Sequence, residues 1–204
     1  MKNETSCKVN PMPDIDALVQ RWRNGDERAA EILYNHFRES TFRLAYGLLG
    51  NLADAEEAAQ DALAYALVNI HRYNPRRASF STWLHTIAVS RCRDRYRRNR
   101  LKKFSLTAWI RGDEGLSDPH PGPEHHAIHA ETRSQVWEAV QGLSLLLREA
   151  ILLRYWSGHT FREMADILGC PVPTAQSRVR LAYQRLRATL APTELVHLEE
   201  EESR

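Results

Sequence analysis

Cysteine is scarce in this chain of 204 residues: Cys7, Cys92 and Cys170 lie far apart, odd in number and without a C-x-x-C spacing. That pattern excludes a disulfide framework and a cysteine zinc site, and it fits a reducing compartment. Long apolar runs are missing too. None approaches the ~20 residues that cross a bilayer, so no membrane insertion is expected. The opening MKNETSCKVNPMPD has no apolar stretch, which leads us to expect a cytoplasmic protein without a secretory signal. Alternation of β-branched residues long enough for a strand is absent, leaving helices. The chain also lacks G-x-G-x-x-G, a Walker loop, H-E-x-x-H and G-x-S-x-G, so no catalytic residue and no cofactor is expected.

What is present is charge, unevenly placed. The formal net charge of +2 hides a balance of −4 over residues 1–71 and +10 over 72–103. Residues 104–133 come to −3, 134–191 to +3 and 192–204 to −4. Such segregation points to a localised polyanion contact. The densest stretch is SRCRDRYRRNRLKK, residues 90–103, with eight Lys and Arg against Asp94. A solvated helix face normally mixes signs, because opposite charges four residues apart stabilise it. Here Asp94 is the one acid on offer within the run. The stretch therefore reads as a phosphate-binding helix, and its arginines suit bidentate contact.

Hydrophobic periodicity is helical almost throughout. Ile15, Leu18, Val19 and Trp22 mark a first helix that ends near Asn24-Gly25. A second runs from about Glu27 to Leu49 and stops at Gly50, and a third covers roughly 54–70. Asn74-Pro75 breaks the pattern into a loop before a basic helix over 83–103. Phe80 and Trp83 sit on its core stripe, whereas Tyr73 lies in the loop. The Gly-, Pro- and Asp-rich segment 104–133 reads as a flexible linker. The expected fold is all-α: two small helical domains, 14–103 and 134–191, between a disordered 1–13 and an acidic tail 192–204.

Inside the second domain, Thr160 and Glu163 have capping-box spacing, Gly169 supplies a turn, and Pro171 and Pro173 open the next helix. Ala175, Val179, Ala182 and Leu186 form its inner face. This is helix-turn-helix spacing, shared by ordinary helical hairpins. His120, His125, His126 and His129 lie in a segment without the rigid scaffold a metal needs, so no metal site is expected. His36, His71, His85, His159 and His197 are isolated and read as structural.

Three blocks then add up. LADAEEAAQDALAYAL, YNPRRASFSTWLHTIAVSRCRDRYRR and residues 140–187 resemble regions 2.2, 2.3–2.4 and 4 of the extracytoplasmic-function (ECF) bacterial sigma factors. The resemblance implies a transcription initiation factor that binds core RNA polymerase and promoter DNA and often an anti-sigma factor. Asp54, Glu56, Glu57, Gln60 and Asp61 would then meet the β′ coiled coil of the polymerase, with the β flap as a further contact. Tyr73, Asn74, Arg76 and Arg77 would line the loop that captures a flipped base of the minus-10 element. Arg91, Arg93, Arg95, Arg97 and Arg98 would hold phosphates of the melting duplex. Thr174, Gln176, Ser177, Arg178 and Arg180 would meet the minus-35 element. Two positions depart from the family pattern: Gln176 replaces a cation, and Ser144 replaces a proline after Leu143, where its hydroxyl can cap the helix instead. The residues alone also suit a two-domain repressor or activator that never meets polymerase, a nucleic-acid enzyme or a module for an acidic protein.

Overall fold

A computed structural model describes residues 13–109 and 127–190, with side chains over 13–101 and 134–190. Among the described residues there are helices and turns and no strand.

Helix α1 (Ile15–Arg23) starts at Asp14, whose carboxylate accepts from Ala17 N at 3.0 Å, and α2 (Glu27–Leu49) starts at Asp26 in the same way. Gly50 closes α2 at φ +70°, a left-handed position that suits glycine. Asn51 caps α3 (Leu52–Val68), which leads through a single 3₁₀ turn (Ile70–Arg72) to the loop 73–79. Helix α4 (Phe80–Trp109) follows. The second unit holds α5 (Ala127–Gly142), α6 (Leu145–Ile151) running into a π turn over Leu152–Trp156, α7 (Phe161–Leu168) and α8 (Val172–Thr189).

Two expectations change here. The segment 104–133 is not linker throughout, since α4 continues to Trp109 and α5 begins at Ala127. No glycine or proline occurs between Pro75 and Gly112, and extending a helix is far easier than starting one. Ser144 does occupy the N-cap of α6, but its hydroxyl makes no capping bond. The expected disordered N-terminus and acidic tail lie outside the described residues, apart from Pro13.

The core has two parts. Leu18, Val19, Leu33, Phe37, Leu63, Ile70, Phe80 and Leu84 pack α1 to α4 together. The other part crosses between the units: Leu44, Ala45, Leu48, Val89 and Cys92 join Leu147, Ile151, Leu152, Leu153, Met164 and Leu186 in one cluster. Full burial of one aliphatic side chain contributes about 1.5–3 kcal/mol. The shared core therefore sets how the units sit, whatever freedom the connecting segment has.

Polar groups complete the joint. Carbonyls in the last turn of a helix lack intrahelical partners, and here side chains of the second unit supply them. Gln141 Nε2 donates to Gly47 O at 2.8 Å and Arg148 Nη1 to Leu48 O at 2.9 Å. The guanidinium also suits the negative end of the α2 dipole. Tyr46 stacks on Trp137 with ring centroids 4.7 Å apart.

Candidate nucleic-acid interface

The loop between the 3₁₀ turn and α4 is held from behind. Arg23 reaches the carbonyls of Ile70, at 3.0 Å, and Tyr73. Tyr73 is 4% exposed, edge-on to Phe80 and tilted against Trp83, with its hydroxyl 3.4 Å from Asp16. Burial, with Asp16 beside it, pushes its phenol up to about 12. A loop position suggested a ring available at the surface, yet the ring belongs to the core. Two aromatic neighbours in space, Phe80 and Trp83, outweigh its place in the loop. The anchor leaves Asn74, Arg76 and Arg77 exposed. Asn74 Oδ1 accepts from Arg76 N at 3.0 Å, an Asx turn that shapes the tip. Ser79 then caps α4, accepting from Thr82 N at 3.1 Å.

The arginines of α4 are better neutralised than their own helix allows. Arg91 lies over the Tyr65 ring at 5.0 Å. Arg93 makes a bidentate pair with Glu149 of α6, at 2.6 and 2.7 Å, and the Glu149 side chain is wholly buried. This carboxylate raises the guanidinium's proton affinity further. Arg95 bonds Asp54 at 3.2 Å and also Glu57, while Asn99 donates to Asp54 at 2.7 Å. Arg97 pairs with Asp94, and Arg98 is exposed. The expectation that Asp94 alone relieves this helix is therefore corrected: Asp54, Glu57 and Glu149 do so from α3 and α6. They stand 38 to 56 residues away in sequence, beyond any spacing rule.

Helix α3 consequently divides its acidic set. Asp54 and Glu57 turn to α4, while Glu56, Gln60 and Asp61 are exposed. Glu56 and Gln60 line a groove of about 400 Å³ against Tyr34, Arg38 and Phe42 of α2.

In the second unit the capping box forms as spaced. Thr160 Oγ1 accepts from Glu163 N at 3.3 Å, and Glu163 Oε2 accepts from Thr160 N at 2.9 Å. Gly169 turns the chain at φ +66°. Helix α8 buries Ala175, Val179, Ala182 and Leu186 and exposes Gln176, Ser177 and Arg180, with Thr174 and Arg178 half-buried. Nη1 of Arg178 is out of solvent without a hydrogen-bond partner.

Other residues carry contacts that local reading missed. Glu163 Oε1 also accepts from Thr82 of α4 at 3.1 Å, tying the capping box to the first unit. Burial would raise this carboxyl, but bonds from the Thr160 backbone, Thr160 and Thr82 hold it below its usual value. Arg148, Glu149 and Gln141 at the joint gave no sequence signal, because an Arg-Glu dipeptide reads as surface. His85 and His159, isolated in the sequence, bring ring nitrogens within 2.7 Å of each other across the joint. Cys92 is fully buried, and burial with the nearby Glu149 charge pushes its thiol up to about 12, away from reactivity. His120, His125 and His126 lie outside the described residues, as does the side chain of His129. No group of three metal-ligating side chains occurs among the described residues, and no helix among them is long and apolar enough to cross a membrane.

Comparison with known proteins agrees with this layout. Residues 33–102 match Sigma-70 region 2, and residues 133–186 match Sigma-70, region 4. The chain is 29% identical over 182 residues to the ECF RNA polymerase sigma factor SigW of Bacillus subtilis, covering 86% of this chain and 96% of that one. It is 31% identical over 179 residues to the ECF RNA polymerase sigma factor RpoE of Cereibacter sphaeroides, covering 85% and 93%. Among solved structures, CnrH in complex with the cytosolic domain of CnrY superposes with a TM-score of 0.63 at 22% identity, covering 86% and 96%. The sigma factor RpoE in complex with the anti-sigma factor NepR from Bartonella quintana gives 0.63 at 24%, covering 78% and 94%. With both regions matched in order and 85% of the chain aligned to the C. sphaeroides RpoE at 31% identity, the chain belongs to the ECF family of RNA polymerase sigma factors and is a transcription initiation factor that binds RNA polymerase and promoter DNA.

Proposed function

We propose that the two units divide promoter opening between them, acting by binding and without a covalent step of their own, in the cytoplasm. The exposed face of α3, with Glu56, Gln60 and Asp61 beside Asp54 and Glu57, docks on the β′ coiled coil of the polymerase, with the β flap as a second contact. Gln176, Ser177 and Arg180 of α8, with Thr174 and Arg178 at its edge, read the minus-35 element as duplex. Asn74, Arg76 and Arg77 meet the minus-10 element, and Arg91, Arg97 and Arg98 hold its phosphates. Freeing one base costs a few kcal/mol of pairing and stacking, offset by capture and phosphate contacts.

The observation that carries this reading is the loop tip. Tyr73 and Arg23 fix it from the core side, leaving Asn74, Arg76 and Arg77 exposed one turn before an arginine-rich helix. A preorganised cationic tip suits an unpaired strand better than a closed duplex groove. Gln176 stands where the family places a cation, so the minus-35 sequence read here is its own. The B. quintana RpoE structure contains an anti-sigma factor. An anti-sigma partner for this chain follows by that likeness.

The test is multi-round transcription with purified core enzyme on genomic promoters, with permanganate footprinting of unpaired thymines. Promoter-dependent transcripts and thymine reactivity near minus 10 are expected. If no promoter fires beyond core enzyme alone, the division of roles is wrong.

A further inference from the structure

One buried contact joins the two units through residues outside the proposed polymerase and DNA faces. His85 of α4 and His159, just before α7, are 3% and 4% exposed and come from different units. Nδ1 of His85 lies 2.7 Å from Nε2 of His159, with the rings edge-to-face at 88°. Two neutral imidazoles share such a contact through one proton. Which ring supplies it follows from the surroundings. Glu163 Oε2 is 3.8 Å from His159 Nδ1, which favours a proton there. His159 Nε2 is then bare and accepts from His85 Nδ1–H. That leaves Nε2 of His85 bare as well, buried and without a hydrogen-bond partner.

We propose that the His85–His159 contact is an acid-sensitive latch between the two units. A proton added to His159 Nε2 sets two N–H groups against each other. His85 relieves the clash by moving its own proton to Nε2, where no acceptor waits. A proton added to His85 goes to the same dry position. Either way the closed joint holds a charge that the separated units would give to water.

The charged groups around the pair are few. Glu163 of α7 favours a cation on His159, and Arg154 of the π turn donates to His159 O at 3.3 Å. Farther along α4, Arg93 and Glu149 neutralise each other. Burial prevails over Glu163 and lowers His159, while burial and the facing ring lower His85 to about 4. Because these values are depressed in the closed form, closure is unaffected above the ordinary histidine value. It weakens as pH falls from there toward 4. His85 alone, shifted from 6.5 to about 4, would lower the closed-to-open ratio ~30-fold at about pH 5.

The test is small-angle scattering of the full chain from about pH 7.5 to about 5, together with NMR titration of the histidine rings. Circular dichroism confirms that helix content holds. The wild-type chain is expected to expand as pH falls, and His85→Gln to lose that response. A wild-type radius constant across the window overturns the proposal, and so does a His85→Gln chain that expands with the wild-type midpoint. Should His85→Gln be expanded at every pH, the rings decide. Titration of both well below the ordinary value in the wild type, in step with expansion, supports the latch; titration at the ordinary value overturns it.

Discussion

Arg93 and Arg77 are both cationic, but they do different physical work. Arg93 neutralises a carboxylate with no exposed surface, so Arg93→Ala strands the Glu149 charge. Breaking a fully buried pair costs about 3–5 kcal/mol; with Arg93 31% exposed, we expect a loss of about 2–3 kcal/mol in urea unfolding. A change below about 0.5 kcal/mol would mean water already reaches Glu149. Arg77 is exposed, and Arg77→Ala should leave stability unchanged while altering the ranking of promoters. Arg95 stands between these cases. Its pairing with Asp54 and Glu57 holds α3, the proposed polymerase face, against α4, so Arg95→Ala should weaken all promoters alike and also cost stability, about 1 kcal/mol. Equal promoter losses for both variants, measured by transcription on a panel, would refute that split.

At the scale of single elements, the helix boundaries follow local chemistry. Asp14, Asp26, Asn51 and Thr160 each accept an orphan amide, and Gly50 and Gly169 take left-handed turns. These signals are short-range, so the Thr160 box and the turns at Gly50 and Gly169 were legible from spacing, whereas the Asp14, Asp26 and Asn51 caps emerged with the structure. Thr160→Ala should cost about 1 kcal/mol through the lost cap. The capping box is also tied to α4 through Glu163 and Thr82. Amide exchange should therefore rise at the start of α7 and again near Thr82. A rise confined to α7 would show that the tie transmits nothing. The basic helix was legible as basic, but its partners were not, because Asp54, Glu57 and Glu149 arrive from other elements.

Across the whole molecule, the joint is built on a close approach. A Cβ at Gly47 would sit 2.8 Å from Leu152 Cδ1, against an otherwise packed core. Gly47 lies in the last turn of α2 and is not among the glycines with positive φ, so Gly47→Ala should leave the first unit folded while loosening the second. We expect a larger radius of gyration at neutral pH with unchanged helix content. An unchanged radius would mean that Leu152 moves aside at little cost. The same joint argues for testing polymerase binding with the full chain. A fragment of residues 1–103 would leave Leu44, Leu48 and Val89 without the partners they have here.

By itself the sequence determined the all-α class, most helix ends, the helix-turn-helix spacing and the family, since these rest on periodicity, capping and motif order within a few tens of residues. The tertiary structure decided which charges are free and which are spent. It drew Tyr73 into the core, turned Arg93 and Arg95 toward carboxylates far along the chain, and brought His85 against His159. Burial and long-range pairing depend on how the helices pack, and no local pattern records which distant residue will fill a given contact.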